Sequence, residues 1–236
     1  MKPILIAVMA VLSGLAGLAC IDMPADLGQP SYVHAEPEDY VYYFGDSLGA
    51  MSQSVERAHY QTYAPRVAKW DNTIAGGLRF QNWWPAMETV PPGATVVVEL
   101  GWNNLMNEAI NTGELEDHLI GTFDRLRARG VTRTIWFSIN MGSANLRAYP
   151  QPSRAAWLNA RVRGLVADGT YSDIGLEIYE WDQIAAPLGR SILSADDLHH
   201  NGLGTEIFGC AMYEAVNGPA CMADLLGALA PARTPR

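Results

Sequence analysis

The sequence predicts an α/β domain built on a parallel β-sheet. Short apolar runs alternate along the chain with longer amphipathic ones, the pattern that produces right-handed β-α-β crossovers. Runs such as Val96-Val97-Val98 are continuously apolar, as expected of strands covered on both faces. At 236 residues the chain is long enough for one domain of this class to bury a sufficient core unaided.

Taken in order, Met1 to Cys20 places Lys2 before the apolar stretch Ile4 to Leu12 and then small residues, which reads as an export signal rather than core. Gly17-Leu18-Ala19-Cys20 ends it in a way that suits cleavage and also sets Cys20 where a lipoprotein would be acylated. The stretch is short for a span of about 30 Å of hydrocarbon. Residues 21 to 38 carry Pro24, Pro30 and Pro37 with little periodicity and read as a linker, so the folded domain is expected over 39–236. Within it, strands are expected at Tyr40–Phe44, Val67–Asp71, Thr95–Leu100, Thr132–Ile139 and Leu176–Tyr179. Helices are expected at Glu114–Ala128, Ser153–Val166 and Leu203–Val216, where apolar residues recur three and four apart.

Export to an oxidising compartment would favour a disulfide between Cys210 and Cys221, leaving Cys20 to be removed or lipidated. No Cys-x-x-Cys or His-x-x-x-His spacing suggests a metal, and neither metal nor cofactor is expected. A formal net charge of −9 argues against nucleic acid or anionic lipid as a partner and favours a neutral substrate. Contact with a membrane would come only through a lipid on Cys20.

Ligands of parallel sheets bind beyond the carboxyl ends of the strands, and Gly45, Asn72 and Gly101 each follow a strand and so share that edge. Ser47 falls where the first strand gives way to a helix, a place that suits a nucleophile and equally an N-cap. Far downstream, Asp196 stands three residues before His199, close enough to hold its imidazole in the tautomer a general base needs. Asp197 and His200 offer the same spacing one residue later, and a solvated turn would also explain the cluster. Donors for an oxyanion could come from Gly76-Gly77 and from Gly101-Trp102-Asn103-Asn104, although glycine and asparagine are also ordinary turn residues.

Together these residues resemble the SGNH, or GDSL, hydrolase family, whose four motifs occur in the same order. Phe44-Gly45-Asp46-Ser47-Leu48 matches the first, and Asn72 with Gly77 five residues later matches the second. Gly101-Trp102-Asn103-Asn104 matches the third except that Asn104 replaces the usual aspartate. Asp196 and His199 match the fourth, with His200 where proline is frequent. The resemblance spans about Asp39 to Val216. It implies a flavodoxin-like three-layer α/β/α sandwich around a five-stranded parallel sheet. It also implies a serine esterase in which Ser47, Asp196 and His199 are catalytic, while Ser47, Gly77 and Asn103 form the oxyanion hole.

Asp46 and Trp102, beside the nucleophile and inside the third motif, are the expected substrate contacts. Trp70, Trp83, Trp84 and Trp181 add aromatic surface near the motifs, and indole faces suit sugar rings, whereas Trp83-Trp84 reads better as core or helix face. Ile178-Tyr179-Glu180-Trp181 resembles a stretch in SGNH domains that accompany membrane acyltransferases acting on cell-surface glycans. The insert from Asn140 to Pro152 is polar, and its Arg147 reads as a solvated arginine with a possible place on the cleft wall. The expected activity is hydrolysis of short acyl esters, acetyl above all, on a small molecule or glycan outside the cell, in the periplasm, secreted or lipid-anchored. Transfer of the acyl group to a sugar hydroxyl and a non-catalytic glycan-binding module are the alternatives.

Overall fold

The computed structural model describes residues 40–49, 51–52, 55, 69–72, 79–106, 111–140 and 152–229. All of them lie in the compact unit Val33–Arg236. The expected signal and linker, Cys20, Gly76 and Gly77 lie outside the described residues, as do Arg147 and most of its insert.

Strands β1 (Tyr40–Gly45), β2 (Lys69–Asn72), β3 (Thr95–Glu99), β4 (Arg133–Phe137) and β5 (Leu176–Tyr179) form one parallel sheet in the order β2-β1-β3-β4-β5. Val96, Val97 and Val98 are fully buried, which is why this strand reads as an unbroken apolar run. Successive side chains face opposite ways. Trp136 therefore stacks on Phe80 at 5.6 Å, on helix α1 (Phe80–Met87), while Phe137 meets Phe208 at 5.6 Å on the other face.

The first face is completed by the long helix α3 (Thr112–Ala128), after a short helix α2 (Trp102–Leu105). A reciprocal cap starts α3, Glu114 N donating to Asn111 Oδ1 at 3.0 Å and Asn111 N to Glu114 Oε2 at 2.9 Å. Trp84 on α1 donates through Nε1 to Thr122 at 3.1 Å and lies under the Arg125 guanidinium at 3.8 Å. Helices α4 (Pro152–Ala167), α5 (Trp181–Ala185), α6 (Gly202–Asn217) and α7 (Met222–Leu229) follow. On the α6 face Tyr43 donates through its hydroxyl to Met212 O at 3.0 Å.

The expected disulfide joins Cys210 on α6 to Cys221 at the head of α7. Glu214 Oε1 accepts from the amides of Ala220, Cys221 and Met222 at 2.6 to 2.7 Å, turning the chain into that last helix. The α/β class and parallel sheet agree with the sequence. Helices α1, α2, α5 and α7 do not appear among its expectations: α2 and α5 are too short for a period, and Pro85 together with the Trp83-Trp84 pair obscures α1.

Candidate active site

The chain leaves β1 at Gly45 and enters a helical turn at Ser47. Asp46 is its N-cap, its Oδ1 accepting from Leu48 N at 3.0 Å, the bond that makes aspartate favourable there. The same Asp46 offers Oδ2 to Asn103 Nδ2 at 3.2 Å, so the turn after β1 and the loop after β3 are tied side chain to side chain. Ser47 itself is half-buried at the sheet edge.

His199 reaches that serine across the fold, with Nε2 2.9 Å from Ser47 Oγ. Its Nδ1 lies 2.6 Å from Asp196 Oδ2. With the ring proton on Nδ1 and donated to the carboxylate, Nε2 is left to accept from the serine hydroxyl. Asp196 is fixed in turn: Oδ1 accepts from the Ser194 hydroxyl at 2.6 Å and from the amides of Leu198 and His199 at 3.0 Å each. The base of this loop is closed by Ser194 N donating to His199 O at 2.7 Å and by the bridge between Leu193 and His200.

The alternative pair does not come together. His200 is only 2 % exposed and packs against Phe208 at 4.8 Å and Trp181 at 5.7 Å, while Asp197 pairs with Arg190 at 2.6 Å. Consecutive residues of a bridge point to opposite sides, so only one of the two histidines can face Ser47.

On the third side of the site Gly101 has φ +128°, a conformation that favours glycine, and an added Cβ would stand 2.9 Å from Ile139 Cδ1. That turn delivers Asn103 to the site and sends Asn104 inward. Asn104 is fully buried and accepts at Oδ1 from Phe80 N at 3.1 Å, capping α1. An asparagine where aspartate is usual thus still accepts from a helix terminus, without burying a charge.

The two expected substrate contacts are buried. Trp102 is 5 % exposed and part of the hydrophobic core, and Asp46 is 1 % exposed with its carboxylate engaged by Leu48 and Asn103. Both hold the site together and offer little surface to a ligand. Trp181 is likewise buried. Trp83 and Trp84 sit on α1 as core and helix face, Trp83 Nε1 donating to Gly45 O at 3.1 Å. The side chain of Trp70 lies outside the described residues.

A residue absent from the expectations is Glu99, which ends β3 opposite Gly45 and is 5 % exposed. Its Oε2 accepts from Asp46 N and Gly49 N, each at 3.2 Å. The signal was available: a lone acid closing an apolar run meant for burial.

The electrostatics divide the acids sharply. Burial pushes the Asp46 carboxyl up to about 7, against the Leu48 amide and the His199 charge that favour ionisation. Burial, then the neighbouring Asp46, pushes Glu99 well above the ordinary carboxylate range. For Asp196 slight burial works upward but is overcome by hydrogen bonds from His199, Ser194 and the Leu198 and His199 amides, which hold it well below that range. Burial, then the adjacent His199, lowers His200 to about 4. The clustered ligand set Cys210, Glu214 and Cys221 has both sulfurs in the disulfide and leaves no thiolate for a metal.

The fold has counterparts among solved structures. A lipase/acylhydrolase from Enterococcus faecalis superposes with a TM-score of 0.59 at 16 % identity, over 76 % of this chain and 95 % of that one. A member of the lipolytic G-D-S-L family from Veillonella parvula gives 0.58 at 14 % identity, over 75 % and 98 %. The fold is that of the GDSL hydrolases. An acetylxylan esterase from Geobacillus stearothermophilus gives 0.59 at 12 % identity, over 75 % and 93 %. No protein-family model matches the chain, and no curated protein matches it. The likeness to GDSL hydrolases therefore rests on the fold, and the site on its own geometry.

Proposed function

We propose that the chain is a serine ester hydrolase of the SGNH/GDSL type, exported from the cell and acting on short acyl esters, acetyl above all, of a glycan. The observation that carries this reading is the continuous chain from Asp196 through His199 to Ser47, at 2.6 and 2.9 Å. A serine that served only as a helix cap would have no use for a histidine oriented by a carboxylate. The strand order and the helices on both sheet faces support the finer description as a flavodoxin-like three-layer sandwich.

In the reaction Ser47 Oγ attacks the ester carbonyl carbon as His199 Nε2 takes the hydroxyl proton, and Asp196 stabilises the imidazolium. Collapse of the tetrahedral intermediate expels the alcohol, which leaves with the proton from His199. Water then attacks the acyl-serine, returns a proton through His199 to Ser47 and releases the carboxylic acid. The Ser47 amide and the Asn103 side chain, with Gly77 as a third donor, hold the negative oxygen at both stages. The acetyl-glycan substrate is favoured by acetylxylan esterases among the structures that share this fold. Export is favoured by the apolar Met1–Cys20 segment and by the disulfide.

The test is release of p-nitrophenol from acetyl, butyryl and octanoyl esters beside release of acetate from acetylated xylan, each with wild type and Ser47→Ala. Turnover confined to short esters and lost in the variant is expected. Turnover that survives Ser47→Ala sinks the assignment, and acetylation of an added sugar in place of acetate release would reassign the acyl-serine to transfer.

A further inference from the structure

Ser47 opens a helical turn, and the first amides of such a turn have no partners within it. Of the four amides from Asp46 to Gly49, three are taken by two buried carboxyls. Asp46 Oδ1 takes Leu48 N at 3.0 Å, while Glu99 Oε2 takes both Asp46 N and Gly49 N at 3.2 Å. The amide of Ser47 is taken by neither carboxyl, and it is the donor the proposed reaction would use.

We propose that Glu99 is a positioning residue for the nucleophile: its carboxyl, lying against Gly45, brackets Ser47 by holding the amides on either side and so leaves the Ser47 amide aimed at the substrate. This inference rests on the reading of Ser47 as nucleophile and extends it to a residue outside the four motifs. Glu99 sits opposite Gly45 in the β1–β3 register, and a Cβ at Gly45 would stand 2.9 Å from Glu99 Oε2. A side chain at the glycine of the first motif would therefore push the Glu99 carboxyl out of this position.

The clamp closes a ring. Glu99 holds Asp46 by its backbone, Asp46 holds Asn103 by its side chain at 3.2 Å, and the chain runs from Asn103 back to Glu99 through Gly101. Two of the three proposed oxyanion donors, Ser47 and Asn103, thereby belong to one connected unit, the preorganisation that acyl transfer needs. Burial, then the neighbouring Asp46, pushes the Glu99 carboxyl well above the ordinary carboxylate range, which disfavours a second charge beside Asp46. Glutamine, which keeps a neutral acceptor oxygen, should substitute for it.

The experiment compares Glu99→Gln with Glu99→Met in three readouts: kcat and KM on p-nitrophenyl acetate, the rate at which a small fluorophosphonate labels Ser47, and amide hydrogen exchange in the wild type. Glu99→Met should lose roughly 10²-fold in kcat and labelling rate with KM little changed, as a misplacement of about 1 Å can cost. Glu99→Gln should recover to within about tenfold of wild type. In the unaltered protein the Asp46 and Gly49 amides should exchange more slowly than that of Ser47. A folded Glu99→Met with wild-type kcat, or a Glu99→Gln as impaired as Glu99→Met, would overturn the proposal. If Glu99→Met does not fold, faster exchange at Asp46 and Gly49 than at Ser47 would overturn it without any variant. Failure of the wild type to be labelled at all would instead strike the esterase reading, leaving the exchange order to decide the clamp.

Discussion

The side-chain amide of Asn103 donates to the carboxylate of Asp46 at 3.2 Å, joining two loops that lie 57 residues apart in the chain. One loop carries the candidate nucleophile and the other a candidate oxyanion donor, and this bond adds to the β1–β3 pairing and the Glu99 contacts in setting their spacing. Removal of the donor in Asn103→Ala should lower kcat on p-nitrophenyl acetate by about 10²–10³-fold with little change in KM, since the lost contact forms chiefly in the transition state. A proportionate rise in KM at constant kcat would place Asn103 in ground-state binding instead.

Asp196 Oδ2 lies 2.6 Å from His199 Nδ1, and its other oxygen accepts from Ser194, Leu198 and His199. Asparagine at this position could not hold the ring proton on Nδ1. Asp196→Asn should therefore cost roughly 10²–10⁴-fold in kcat, read from the same assay, while circular dichroism stays unchanged. Because those bonds depress its pKa, Asp196 stays ionised through mildly acidic solution and should not set the acid limb of the wild-type pH–rate profile. Activity within threefold of wild type in Asp196→Asn would remove it from the triad.

His200 gives a stability prediction with a definite sign. Its buried ring resists protonation until about pH 4, whereas the unfolded chain takes up that proton near 6.5. Between these values the unfolded state binds more protons. Stability is whole above about pH 6.5 and is lost as pH falls toward 4, by up to about 3 kcal/mol. Asp46 and Glu99, whose carboxyls are raised, pull the other way over part of this range, so the comparison must be differential. His200→Phe should show a shallower acid loss of melting temperature than wild type, measured by calorimetry from pH 7 to 4.5. Parallel curves for the two proteins would contradict the assignment.

The Cys210–Cys221 bridge closes a loop with a sequence separation of 11. A loop of that size contributes about 3 kcal/mol at most through the unfolded chain. Reduction, or Cys210→Ala with Cys221→Ala, should lower the melting temperature by several degrees and loosen α7, with esterase turnover retained at temperatures well below melting. An unchanged melting temperature in reductant would show that the bridge does not contribute.

Much of this architecture was legible in the residues. Continuous apolar strands such as Val96-Val97-Val98 announced a sheet buried on both faces, whereas the spacing of Asp196 and His199 was matched by Asp197 and His200, and only the fold, which buries His200, separates the two pairs. The helix α1 was hidden because Pro85 and adjacent indoles break its periodicity. The place of Trp102 between Gly101 and Asn103 says nothing of side-chain direction, and after the positive-φ glycine its indole is buried in the core. For Glu99 the sequence carries half the information: a lone acid closing an apolar strand marks a buried carboxyl, but its partners, the Asp46 and Gly49 amides of another strand's turn, leave no mark in local sequence.

The central claim is that Ser47 carries the acyl group. Brief reaction with p-nitrophenyl acetate, acid quenching and peptide mapping by mass spectrometry tests it directly. The account predicts one added acetyl group, on the peptide containing Ser47, that decays on standing and is absent from Ser47→Ala. Turnover with no acetyl on that peptide, or the same adduct in Ser47→Ala, would contradict it.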